Sequence, residues 1–193
     1  FGWAGDAQTY EPTAAYNANV YQFMRQYVTA LRDGQNADGS YPELAPSVST
    51  DGGANGWSDA GIVLTWRLYQ QYADSTILYE NYDSMCKYVD YLVSTSDNYL
   101  REYSGYGDHN AVSTLDDTLC NTAQCAYVVD LLVKISGVLG EQQQQKKYED
   151  IASNYRQAWQ NTYILEDGSI ECWLQSAYTL GLAFDLYPQE LKE

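Results

Sequence analysis

From Tyr16 onward, apolar residues recur three and four positions apart, at Val20, Phe23, Met24, Tyr27, Val28 and Leu31, until Gly34 interrupts the run. That spacing marks one face of an amphipathic helix and predicts a helix over 18–33. Ile62, Trp66, Tyr69 and Ala73 repeat it. After a short break at Asp74 and Ser75, with Ser75 in N-cap position, Leu78, Tyr82, Met85, Val89 and Leu92 repeat it again. Leu119, Ala123, Ala126, Tyr127, Leu131, Ile135 and Val138 form a longer run, apolar on more than one face and closed by Gly140, which reads as a helix buried on most sides. Tyr148, Ile151, Tyr155, Ala158 and Trp159 make a narrower stripe behind the glutamines at 142–145, which belong on a wetted face. A last broadly apolar run, Trp173, Ala177, Tyr178, Leu180, Ala183, Phe184 and Leu186, ends before Pro188. No segment alternates with period two, so the predicted class is all-α.

The connections add topology. Breaks near 74 and 140 are very short, whereas 34–56 and 96–113 are long and rich in Gly, Asp, Ser and Pro, as functional loops are. With a first helix over 6–16, where Pro12 marks a kink or a restart, the chain alternates helix, short turn, helix, long loop. Helices joined by short turns run antiparallel, so every second helix points the same way. Helices at 6–16, 57–73 and 115–139 are then expected in an inner layer and those at 18–33, 76–95 and 142–162 in an outer one, the arrangement of an α/α toroid built from helical hairpins. Three similar clusters, FGWAGDAQ at the start, NGWSDAG at 55–61 and GYGDHNA at 105–111, lead the three inner helices and should converge on one face of the array.

Composition narrows what that face can do. A chain of 193 residues with 45% apolar content is long enough for one domain with a hydrophobic core. Twenty-six acids against ten bases leave a net charge of −16, which repels phosphate backbones and anionic lipid, so no nucleic acid is expected as a partner. No stretch approaches the roughly 18 uninterrupted apolar residues of a spanning helix, so no membrane is expected either. Four cysteines show no CxxC spacing and His109 is the single histidine, so neither a metal nor another cofactor is expected. Cys120 and Cys125 lie about 140° apart around one helix and should remain unbridged, as buried free thiols.

Twenty Tyr and five Trp against three Phe give flat apolar bodies with hydrogen-bonding edges, which suit a sugar and also suit helix packing. A shallow face carrying Trp3, Asp6, Trp57, Asp59, Asp108 and His109 matches a saccharide: ring C–H bonds pack on the aromatic faces and carboxylates accept from hydroxyls. The same residue types have plainer uses, Asp59 and Asp108 as helix N-caps and Trp3 and Trp57 as core.

FGWAGDAQTYEPTAAYN, followed by DGSYPELAP, GGANGWSDAGIVLTWRLYQQYAD, GYGD and QSAYTLGLAFDLYP, resembles the catalytic domain of bacterial α-L-rhamnosidases of glycoside hydrolase family 78, over essentially the whole chain. The resemblance implies an (α/α)6 barrel that hydrolyses terminal α-L-rhamnose from glycosides with inversion at the anomeric carbon, an L-rhamnose-containing glycoside being the partner. It places Trp3 and Asp6 in the rhamnose subsite, with Asp6 accepting from ring hydroxyls and orienting the site, and Trp57 as an apolar wall for the sugar. His109 stands where many relatives carry tryptophan, so this wall is expected to differ. The family's general acid, a glutamate in an Arg-Glu-Arg-like segment, would fall upstream of Phe1, and its general base, in a later Trp-Glu motif, has no counterpart after Leu186. Seven helical runs make three and a half hairpins where a closed toroid has six. The chain, 1–193, is therefore expected to be part of such a domain, about half of the barrel, truncated at both ends, inactive alone, and prone to self-association or partial collapse through exposed flanks. The alternatives are another α/α toroid carbohydrate-active enzyme, such as a lyase, and a non-catalytic helical-hairpin scaffold.

Overall fold

The computed structural model describes residues 2–49 and 51–191. Among them seven α-helices dominate: α1 (Ala4–Asn17), α2 (Tyr21–Asp33), α3 (Ala60–Tyr72), α4 (Thr76–Ser94), α5 (Asp117–Leu139), α6 (Gln142–Tyr163) and α7 (Gln175–Ala183). α1 packs on α3, α3 on α5 and α5 on α7. α2 lies against α3 and α4, α4 against α3 and α5, and α6 against α5. These are the two layers that the alternation of short and long connections predicts.

The inner helices are apolar on several faces because neighbours surround them. α3 buries Ala60, Gly61, Ile62, Val63, Leu64, Thr65 and Leu68. α5 is long and apolar enough to cross a bilayer, with mean hydropathy 1.4 over its most apolar stretch. It lies instead between α3, α4, α6 and α7, as a core helix does. α1 departs from the expected inner pattern: it buries only Ala4, Gly5, Glu11 and Ala14, because no helix among the described residues covers its other side.

Pro12 neither stops nor restarts α1, which runs through it. A proline removes the N–H that would bond the carbonyl four residues earlier. That carbonyl, on Gln8, accepts instead from Arg67 Nη1 of α3. The last apolar run is shorter as a helix than its pattern suggests. Trp173 lies outside α7 and is 84% exposed, and Phe184 ends the helix by stacking on Tyr127 at 4.4 Å and 11°. Ser75 makes no side-chain cap bond to α4, and Asp74 Oδ1 accepts from Thr76 N at 2.9 Å in its place. The glutamines at 142–144 are exposed, and Gln145 is half-buried. All four cysteines are free, with Cys120 and Cys125 buried and their thiols pushed up to about 12 chiefly by burial.

The fold is all-α as expected, with one short strand pair beside the helices. β1 (Gly2–Trp3) pairs antiparallel with β2 (Leu44–Ala45), Gly2 opposite Ala45 and Trp3 opposite Leu44. Two-residue strands are too short to show any alternation, yet this pair joins the first cluster to the first long loop.

Candidate functional site

The first cluster is fixed by its strand pairing. Ala4 N donates to Glu43 O at 2.8 Å, and the Tyr27 hydroxyl donates to Gly2 O at 2.9 Å, so the Trp3 backbone is held on both sides. Phe1, the first letter of that motif, lies outside the described residues. Two residues on, Gly5 faces the indole of Trp57, and a β-carbon there would lie 2.7 Å from Trp57 Cε2. Only glycine lets that indole rest on the backbone of α1.

The second cluster stands on a buried carboxylate. Asp59, 3% exposed, accepts from Gly56 N at 2.7 Å, Tyr88 OH at 2.7 Å and Asn55 Nδ2 at 3.3 Å. Gly56 has φ +80°, a conformation that favours glycine. Its carbonyl accepts from Gln8 Nε2. Burial raises the Asp59 carboxyl above the usual range, and the three donors with the nearby Arg101 charge work against that rise.

Arg101, wholly buried, ties the two long loops together. It donates to Asn55 Oδ1 at 2.8 Å and Gly53 O at 2.9 Å. Its backbone N donates to Thr122 Oγ1 at 3.0 Å, and its guanidinium lies 4.8 Å from the Tyr103 ring centroid.

The third cluster closes the wall. Tyr106 packs on Trp57 with ring centroids 4.1 Å apart and stands edge-on to Trp3 at 6.3 Å. Its hydroxyl donates to Glu43 Oε2 at 2.7 Å. Burial, that bond and the Glu43 charge push the phenol up to about 12, so at neutral pH it remains a donor. His109 is edge-on to Trp57 at 5.1 Å and to Tyr106 at 5.6 Å.

The three clusters therefore meet. Trp3, Asp6, Trp57 and His109 line one cavity of about 1150 Å³, with Tyr27 and Met24 of α2 on its far wall. Burial and the Asp6 charge push Tyr27 up to about 12, so it too stays protonated. Among the described residues neither Lys nor Arg lines the cavity. Asp59 and Asp108 do not line it. Asp59 supports Gly56 and Trp57 from beneath, and it makes no side-chain cap bond to α3. Asp108 caps nothing: α5 is capped by Asp116, whose side chain accepts from Thr118 N and Leu119 N. Among the described residues no three His, Cys, Asp or Glu side chains gather into a set able to hold a metal. A second, more polar groove of about 490 Å³ opens on the other side of Trp3, lined by Glu43, Asp51, Tyr103, Ser104 and Tyr106.

Sequence reasoning missed Tyr106, Glu43 and Arg101. Tyr106 sits inside the GYGDHNA cluster and Glu43 inside DGSYPELAP, so their motifs were in view. Arg101 had no signal beyond being a cation between two long loops.

The whole chain, residues 1–193, matches the family model described as the bacterial alpha-L-rhamnosidase 6 hairpin glycosidase domain. It is 37% identical over 195 residues to an alpha-L-rhamnosidase of Streptomyces avermitilis, covering 100% of this chain and 19% of that protein. The crystal structure of the Streptomyces avermitilis alpha-L-rhamnosidase complexed with L-rhamnose superposes with a TM-score of 0.93 at 36% identity, covering 99% of this chain and 19% of that one. The alpha-L-rhamnosidase from Dictyoglumus thermophilum gives a TM-score of 0.91 at 29% identity, with 99% and 23% covered. The chain spans 19 to 22% of the lengths of the curated relatives it matches.

Proposed function

The chain belongs to the bacterial alpha-L-rhamnosidase six-hairpin glycosidase family, and we propose that it forms the sugar-holding part of a longer catalytic domain that hydrolyses terminal α-L-rhamnose from glycosides with inversion. One observation carries the reading: the three aromatic-acid clusters, far apart in sequence, gather Trp3, Asp6, Trp57 and His109 around one cavity. Trp57, backed by Tyr106, and Trp3 offer apolar faces to the ring and methyl group of a 6-deoxy sugar. Asp6, exposed in the cavity, accepts from ring hydroxyls, which are good donors to a carboxylate. His109 adds a ring nitrogen to this wall beside Trp57, which makes it more polar than aromatic carbon alone.

Inverting hydrolysis needs an acid and a base about 6.5–9.5 Å apart on opposite faces of the sugar. In this reading both come from residues outside 1–193, and Asp6 orients the substrate between them. The remaining hairpins would cover the edge bearing the exposed Trp173 and Leu182 and close the outer end of the cavity, where Tyr10 and Phe23 are exposed. In the isolated chain self-association would cover them.

Hydrolysis of p-nitrophenyl α-L-rhamnoside, followed by NMR of the first anomer released, tests the assignment. The protein at its full encoded length should release the inverted anomer, and the 193-residue chain alone should be inactive. Absence of turnover at full length, or a retained anomer, refutes the activity. Turnover by the isolated chain that survives purification refutes the placement of the acid and base outside it.

A further inference from the structure

We propose that the groove behind Trp3 is a second sugar subsite, which holds the unit to which rhamnose is attached and favours a neutral, hydroxyl-rich unit over an anionic one. The inference rests on the first cavity being the rhamnose site.

Trp3 lines both spaces, and its indole with the edge-on Tyr106 ring forms the rim between them. A glycoside whose terminal sugar packs against Trp3 in the first cavity can pass its linked unit over that rim. The groove beyond is about 490 Å³, within the range of small-ligand sites. Its lining differs in kind from the first. Where the first cavity is mostly apolar, this one presents Glu43, Asp51, Tyr103 and Ser104, acceptors and donors suited to several hydroxyls at once.

The groove is also preorganised. Glu43 is buried, with its backbone carbonyl engaged by Ala4 N and Oε2 by Tyr106 OH. The Tyr103 hydroxyl donates to Gly52 O at 3.1 Å, and its ring lies beside the buried Arg101. Among the described residues the two carboxylates face no Lys or Arg in the groove lining, and like charges placed together at a binding surface are strongly disfavoured. A uronate or sulfated unit would meet that repulsion, whereas a neutral hexose would meet only acceptors.

The test compares two substrates that differ in one charge, an α-L-rhamnosyl glucuronide and its methyl ester, using the protein at its full encoded length. The ester should show kcat/KM at least about tenfold above the acid, as repulsion of this kind implies. In Asp51→Asn, at an exposed position where folding is not at stake, the gap should narrow by about threefold or more. Equal kcat/KM for acid and ester overturns the preference, and a gap that Asp51→Asn leaves intact overturns its location in this groove. Calorimetry with free L-rhamnose separates this failure from failure of the parent reading. Rhamnose binding with equal acid and ester turnover removes the charge preference alone, whereas absence of rhamnose binding removes the parent reading with it.

Discussion

Gly5→Ala tests the seat of Trp57. The added methyl would stand 2.7 Å from Trp57 Cε2 and 2.9 Å from Cδ2 and Nε1, where carbon contacts settle at about 3.5–4.0 Å. The indole must retreat by about 1 Å. It has little room, because Tyr106 packs on it at 4.1 Å and His109 stands edge-on at 5.1 Å. Two effects oppose each other. Helix propensity favours Ala over Gly by about 0.8–1.0 kcal/mol, while overpacking costs about 1–3 kcal/mol. The sum is a net loss of up to about 2 kcal/mol, a fall in Tm of up to about 8 °C for a chain of this size. Binding should suffer more, since a wall displaced by about 1 Å can cost up to about a hundredfold in a positioned site. Thermal unfolding followed by circular dichroism and a fluorescence titration with L-rhamnose read both quantities. A raised Tm with unchanged affinity would show that propensity alone acts at Gly5 and that Trp57 does not rest there.

Asp59→Ala leaves the Gly56 N–H, the Tyr88 hydroxyl and the Asn55 amide without their acceptor. It should cost about 3 kcal/mol or more in chemical denaturation, with Asp59→Asn restoring part of the loss. Glu11 is wholly buried, and burial raises its carboxyl while the Arg67 charge and a hydrogen bond from Gln71 offset only part. Glu11→Gln, which mimics the protonated acid that the raised value favours, should therefore stabilise the fold at neutral pH and raise Tm, Arg67 keeping its bond to Gln8 O. Asp74 is held down at about 2 from a usual 3.8 by bonds from Tyr21 OH and Thr76. Because its folded value is depressed, the stability it adds is complete above 3.8 and lost as pH falls through about 2. Denaturation curves between about pH 5 and pH 2 should show that loss in the native chain and a shallower one in Asp74→Asn.

The helices were legible because burial repeats at helical spacing along each of them. Alternating connection lengths set their parity, so the meeting of the three clusters could be read from the chain. What the pattern hid was of four kinds. The β1–β2 pair is too short to alternate, yet it fixes Trp3. Burial of polar groups depends on partners distant in sequence, so Asp59 read as a cap or a ligand when it is a strut, and Arg101 gave no hint of joining two loops. Pro12 read as a kink or a restart because nothing local shows that Arg67, on α3, takes the carbonyl it frees. Asp108 matched the aromatic-acid motif as well as Asp6 does, but the loop after Tyr106 directs it away from the cavity and leaves His109 there.

Calorimetric titration of L-rhamnose into the protein at its full encoded length, beside Asp6→Ala, bears most directly on the sugar site. A hydrogen bond to a charged group is worth about 1.5–3 kcal/mol, so the substitution should weaken binding by about ten- to a hundredfold at unchanged Tm. Equal affinity in the two proteins would contradict the placement of rhamnose between Trp3, Asp6 and Trp57.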